Sequence, residues 1–481
     1  MPRRWMLFPV LCLALTFCAP ASNVLAQDDY DLPELGGASA TVSSGEEHRL
    51  GRAWLRQFRA QTDVWQDPIA KDYMHGLVAR LLPYTGVNDD IVITLVDSRL
   101  LNAFAVPGGI VGVNSGLFSF TASEDALASV IAHELGHLSQ HHFARRMQRV
   151  EETQLPTMGA MLIGMVLAAG GAGDAGLATM VGSQAAFIQD QLAYSRRFEQ
   201  EADRIGLDAL ADAGFDPQAM PDMFRAMQRR ASLQGGNPPE FLLTHPVTES
   251  RISDTQARAN QLPSPEPHAS LAFSLVRARA LLALHRDNPE QAMTQLRQDA
   301  PPDAAVRYLQ ALTNAQTGHT DQALATLDQL SAAHPNMSML PASAAEIALD
   351  AGQRDDALRR ARRILRLQPD YRPAQLVEAK VLLQQAPRQA FDVLRRMSDQ
   401  YPEDPQVFTL LAEAAGRSGH NLWGMLARAE QLQLTGHIDR AIKQLDIAEE
   451  TAREQGDFVM ANRLAERRKA YLGYRRALQD F

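Results

Sequence analysis

The stretch "VIAHELGH", Val130–His137, decides how the rest of the chain is read. Its two histidines stand four residues apart. On an α-helix that spacing stacks them on one face, about one turn apart. Val130, Ile131 and Ala132 precede them and Leu135 and Leu138 are interleaved, so the helix is read as largely buried. Two imidazoles on a buried helix need partners, and one zinc ion serves both. Glu134 follows the first histidine directly, so its carboxylate reaches a water on the metal rather than the metal itself. It is placed to take that water's proton and return it to a leaving amine. This is the logic of an H-E-x-x-H zinc hydrolase. His133 and His137 are thereby read as metal ligands and Glu134 as catalytic. The bland reading of the same residues is a polar helix face with chance spacing.

A catalytic zinc needs a third protein ligand and an open position. A metzincin would carry histidine ten residues after His133, but that position is Phe143, which excludes the class. His141 and His142 are read as continuing the same helix, with His141 one more turn away, too far to join the same ion comfortably. In "RRFEQEADRIG", Glu199 and Asp203 are four apart and share a helical face. Such a pair suits a ligand and an outer carboxylate that accepts the free N–H of a ligating histidine. Spacing leaves Glu201 open as the ligand instead, and a solvated acidic face open as well. His245, before Pro246 in "LLTHPVTESRI", is the remaining candidate. It suits either a fourth ligand in a resting state or a donor to the developing oxyanion. Arg251 is read either as the partner of a nearby carboxylate or as a surface residue.

The chain has 481 residues, 46% hydrophobic, and predicts two domains. Aromatics are 6%, while Ala, Leu, Gln and Arg abound, which favours helices. A net charge of −9 argues against a nucleic-acid partner. Residues 1–26 read as a cleaved secretory signal peptide: Arg3 and Arg4, an apolar Trp5–Cys18, then small residues before Ala26. They hold two arginines, no acid and both cysteines, so the mature charge becomes −11 and no disulfide is needed. A short flexible lead (27–44) precedes a catalytic domain expected over 45–260. Within it, "DIVITLVDS" is strand-like, and "NAFAVPGGIVGVNSGLF" reads as two strands turning at Pro107-Gly108-Gly109. That hairpin is either a substrate-binding sheet edge or a structural support. The apolar Leu155–Ala169 is read as a core helix, a mobile flap or a peripheral membrane contact. "NQLPSPEPH" marks a linker, taken as 261–269.

The remainder, 270–481, repeats. Ala323, Ala357 and Ala390 are spaced by 34 and 33 residues, and Pro335, Pro369 and Pro402 each follow twelve later. Gly318, Gly352 and Gly436 stand five residues before Ala323, Ala357 and Ala441. Gly ends one helix, Ala lets two pack closely and Pro stops the second. A period near 34 resembles the tetratricopeptide repeat, whose stacked helical pairs present a surface for protein segments.

Together, "VIAHELGH", the later "FEQEAD" and "THPVTESR" resemble the zinc peptidase family of the CAAX prenyl proteases and HtpX. With the secretion signal and repeats, the pattern is similar to periplasmic members of that family, over nearly the whole mature chain. The resemblance implies a mainly α fold: an α+β zincin-like core with a small β-sheet, followed by an α-solenoid. It implies one zinc per chain, Glu199 as the third ligand, Asp203 as the accompanying acid and a functional role for His245. It also implies hydrolysis of misfolded or stalled outer-membrane proteins in the periplasm, with the repeats docking on the β-barrel assembly machinery. The rival reading is a chaperone or scaffold in which proteolysis is minor. The chain lacks the several membrane spans of the prenyl proteases, which argues against a lipidated substrate.

Overall fold

The computed structural model describes residues 44–146, 148–149, 195–233, 240–266 and 269–479. The proposed signal peptide and the apolar run at 155–169 lie outside them. Helices α1 (Ser44–Gln61) and α2 (Pro68–Leu81) come first. Asp67 caps α2 by accepting from the Ile69 and Ala70 amides at 3.1 and 2.9 Å, with Pro68 in the first turn. Three strands follow: β1 (Val92–Val96), β2 (Ala103–Val106) and β3 (Ile110–Asn114). Their order is β1-β3-β2, with β3 parallel to β1 and antiparallel to β2. The β2–β3 hairpin turns at Pro107-Gly108-Gly109, where both glycines have φ of +76°. That conformation is costly for any residue with a Cβ.

Short α3 (Ser115–Phe120) leads into α4 (Glu124–Ser139), which carries the H-E-x-x-H. Ser123 caps α4 by accepting from the Ala126 amide at 3.1 Å. Leu127, Ala128, Ile131, Ala132 and Leu135 are fully buried on it, so the helix is as apolar in its setting as its sequence requires. One expectation fails. The helix ends at Ser139, His141 takes a left-handed φ of 48°, and a new helical stretch covers 142–146. His141 and His142 therefore do not continue α4.

From Leu271 to Gln479, twelve helices form six antiparallel pairs. Gly318, Gly352, Gly419, Gly436 and Gly456 stand in the connecting turns with positive φ. Ala323, Ala357, Ala390 and Ala441 are fully buried at the helix–helix contacts. The mainly α architecture with a small sheet and a helical repeat array is the one the sequence predicts.

The array folds back on the core. Helices Leu271–Leu284, Met339–Asp350 and Arg372–Gln385 pack on α2, and the last helix, Phe458–Gln479, packs on α1. One apolar core runs from Trp65 to Val381. Polar ties reinforce it: Arg279 pairs with Asp67 at 2.6 Å and with Glu346 at 2.7 Å. Buried Arg56 stacks on the Tyr474 ring at 4.1 Å and bonds to Gln433. Asp404 receives Arg372 and lies 3.8 Å from Lys71. Burial alone would raise the Asp404 pKa, but Lys71 and Arg372 outweigh it and hold the carboxyl below its usual range. Its stabilisation is therefore present above about pH 4 and is lost as the pH falls through its depressed folded-state value. Asp404→Asn is expected to cost about 3–5 kcal/mol at pH 7, because buried Arg372 and partly buried Lys71 lose their partner. In denaturant titrations, variant and parent should converge well below about pH 4; a constant difference at every pH would contradict this.

Candidate active site

Two glycines set the site. The helix over 195–212 crosses α4 so closely that a Cβ on Gly136 would lie 2.8 Å from the Ala202 carbonyl oxygen. A Cβ on Gly206 would lie 2.9 Å from backbone atoms of Ala132 and His133. Backbone meets backbone, and the facing side chains converge. The Nε2 atoms of His133 and His137 stand 3.1 Å apart. Each lies 3.5 Å from a Glu199 carboxylate oxygen.

His245 completes the group. It follows the short helix Glu240–Thr244, and its backbone N–H donates to the Phe241 carbonyl at 2.8 Å. Its Nδ1 is 3.2 Å from both Glu199 oxygens and 3.4 Å from His133 Nε2. One ligand atom from each of His133, His137, Glu199 and His245 lies within 4.8 Å of the others. Tetrahedral zinc with bonds of about 2.0–2.1 Å spaces its donors by about 3.3 Å, so this set of imidazoles and one carboxylate fits such an ion.

The surrounding groups fix these donors. His133 Nδ1 meets Asp203 at 2.9 Å. Arg251 holds Asp203 with two bonds, at 2.7 and 2.6 Å. It also reaches Glu199 at 2.9 Å and the Pro246 carbonyl at 2.8 Å. Arg251 is thus a buried tie between both acids and the His-Pro turn, and not a surface residue. Glu201 stays away from the centre and pairs with His142 and Arg145 at 3.1 and 2.7 Å. The structure therefore brings His133, Glu134, His137, Glu199, Asp203 and His245 into one place. Spacing alone missed the two glycines and His142. A small residue facing the opposite helix was the available signal for the former.

The electrostatics follow from burial. Burial pushes the Glu134 carboxyl up, against the opposing charges of His245 and His133. Burial, then the charge on His133, holds His137 well below the usual histidine range, which leaves its lone pair free. Burial also disfavours a charged His133, but hydrogen bonds to Asp203 and Glu199 outweigh it and raise the pKa to about 9. The acids thus demand a positive charge at this point, and a metal cation supplies one. A cleft of about 270 Å³ opens over the group, lined by Glu134, His245, Phe198 and, from edge strand β2, Phe104 and Ala105.

Comparison with known proteins gives the family. The model of Peptidase family M48 matches residues 68–259. The beta-barrel assembly-enhancing protease of Escherichia coli (strain K12) is 33% identical over 427 residues, 87% of this chain and 86% of that protein. The chain belongs to peptidase family M48. The beta-barrel assembly-enhancing protease of Yersinia pestis is 33% identical over 94% of this chain and 96% of its own length. The mitochondrial metalloendopeptidase OMA1 of Arabidopsis thaliana is 29% identical over 45% of this chain and 41% of its own. Among solved structures, the crystal structure of the P58(IPK) TPR domain aligns with 66% of this chain and 98% of its own, at 14% identity and a TM-score of 0.17. The repeat assignment rests on the chain's own helices. As a member of family M48 the protein is a metalloendopeptidase. No helix among the described residues is long and apolar enough to cross a membrane.

Gly206→Ala tests the crossing. The added methyl group must push the helices apart, at about 1–3 kcal/mol of overpacking. Thermal unfolding should register that loss, and a zinc titration should show weaker binding. Unchanged zinc affinity would mean that the crossing does not set the ligand geometry.

Proposed function

We propose that His133, His137 and Glu199 hold one zinc ion, and that Glu134 is the general base and acid of peptide-bond hydrolysis. The observation that carries this reading is the convergence of those donor atoms, within 4.8 Å, beside a buried glutamate on an open cleft. Bound zinc supplies a Lewis acid for the scissile carbonyl and lowers the pKa of the attacking water. The chain's own residues do the rest. Asp203, 2.9 Å from His133 Nδ1, is placed to hold that side of the ring so that Nε2 faces the centre. Glu134, its pKa raised by burial, is suited to take a proton and give it to the leaving amine. Among the described residues no further strand pairs with the outer edge of β2, which is placed to offer backbone groups to an extended substrate chain.

His245 gives the site a resting state in this reading. Its Nδ1 contacts Glu199 while its Nε2 lies 3.5 Å from Glu134, so one side chain covers both the fourth corner and the base. Substrate entry then requires the His-Pro turn to move aside. The catalytic domain spans 45–260 and the repeat domain 270–481, joined by 261–269. The relatives are named for β-barrel assembly, which supports β-barrel proteins under assembly as substrates; in this reading they are misfolded or stalled outer-membrane proteins, and the repeats dock on their assembly machinery. The leader at 1–26 supports export to the periplasm and cleavage after Ala26.

The test is cleavage of casein or an unfolded β-barrel protein by the mature chain, with zinc measured alongside. Glu134→Gln should keep stoichiometric zinc and lose about 10²–10⁴-fold in rate. Equal cleavage by the variant would remove Glu134 from the mechanism, and zinc in neither protein would sink the site. His245→Ala should raise cleavage at unchanged zinc content. A fall in cleavage would assign His245 to the oxyanion instead.

A further inference from the structure

We infer that His142 is a positioning residue for His137. It would fix the tautomer and ring orientation of that ligand through a chain of hydrogen bonds that ends on Glu201 and Arg145. The inference rests on the reading that His137 binds the metal. His137 turns its Nε2 toward His133 and Glu199, which leaves Nδ1 to carry its proton outward. At 2.8 Å from that Nδ1 stands Nδ1 of His142, which must therefore accept. His142 then carries its own proton on Nε2 and donates to Glu201 Oε2 at 3.1 Å. Arg145 holds Glu201 through Nη1 at 2.7 Å and Nη2 at 3.4 Å. Every nitrogen in the chain has one consistent role, and no other tautomer of His142 satisfies both neighbours.

The packing keeps the ring in place. His142 is 5% exposed, and its ring stacks on Phe198 at 4.2 Å and 20°. The Arg145 guanidinium lies over the same Phe198 ring at 4.8 Å. The backbone is bent to make this possible. His141 takes φ of 48°, a strained conformation for a residue with a side chain, and it turns the chain so that His142 comes back onto His137. His142 is not a ligand itself, because its near nitrogen faces the outer side of His137. It matches in role the Asp203 that meets His133 from the other side, with Arg145 behind Glu201 as Arg251 stands behind Asp203. The helix over 195–212 thus carries the third ligand and both outer carboxylates. A carboxylate-anchored imidazole behind a ligating histidine raises the ligand's basicity and fixes its direction.

The experiment uses the full mature chain and reads zinc affinity by competition with a chelator. His142→Phe keeps a ring against Phe198 but removes the acceptor, and it should weaken zinc about 10–100-fold. His142→Asn places an amide oxygen where Nδ1 was, so it should recover most of that affinity. The absorption spectrum of the cobalt-substituted protein should shift in His142→Phe and stay near the parent's in His142→Asn. Thermal unfolding of the metal-free proteins controls for folding. Glu201→Ala, at a half-exposed position where core packing is not disturbed, should also weaken zinc, by a smaller factor. Parent-like affinity in His142→Phe, or equal losses in the Phe and Asn variants, would overturn the inference. So would parent-like affinity in Glu201→Ala. A parent that binds no zinc would fail the metal-site reading itself, which separates the two.

Discussion

The site depends on one contact: α4 and the helix over 195–212 touching backbone to backbone at Gly136 and Gly206. Helices usually run about 8–10 Å apart, held off by the side chains at the contact, but at these two glycines no side chain stands between the backbones. Here Asp203 meets His133 directly, and Glu199 reaches both histidines. The closeness costs the helices two glycines, which are poor helix formers. The gain is a set of donors whose positions are fixed by main chain rather than by long, mobile side chains. Burial then acts on everything placed there. It raises Glu134, holds His137 neutral and forces each charged group to find a partner.

The same principle recurs at the join between the peptidase core and the repeats. Buried Arg56 and Arg372 and partly buried Arg279 and Lys71 are each placed against an acid or an aromatic ring on the other element. Buried pairs of this kind contribute less net stability than apolar packing, but they tolerate few alternative alignments. The array grips α2 with its early helices and α1 with its last one. The α1 helix also presses on the hairpin, where a Cβ on Gly51 would meet the Pro107 carbonyl oxygen. Repeats, α1, hairpin and cleft are therefore in continuous mechanical contact, with β2 at the cleft edge.

Much of this was legible in the sequence. The four-residue spacing of His133 and His137 and of Glu199 and Asp203 names a helical face each, and the repeat of Gly, Ala and Pro names the array. The hairpin is visible in Pro107-Gly108-Gly109, because only glycine takes that turn cheaply. What spacing cannot supply is long-range or backbone-specific. Arg251 stays open between a carboxylate's partner and a surface residue until the fold buries it on two acids. His142 reads as one more residue of α4, but the helix ends at Ser139 and His141 adopts a left-handed backbone before it. Glu201 competes with Glu199 on paper, and only the crossing geometry sends it to His142 instead.

The most direct test of the account is a crystal structure of the zinc-loaded mature protein, with anomalous data at the zinc edge. The account predicts one zinc bound by His133 Nε2, His137 Nε2 and Glu199, at about 2.0–2.2 Å, and Gly136 and Gly206 still in contact with the facing backbones. Zinc held instead by Glu201 or His142, or a site in which the two helices have separated, would contradict it.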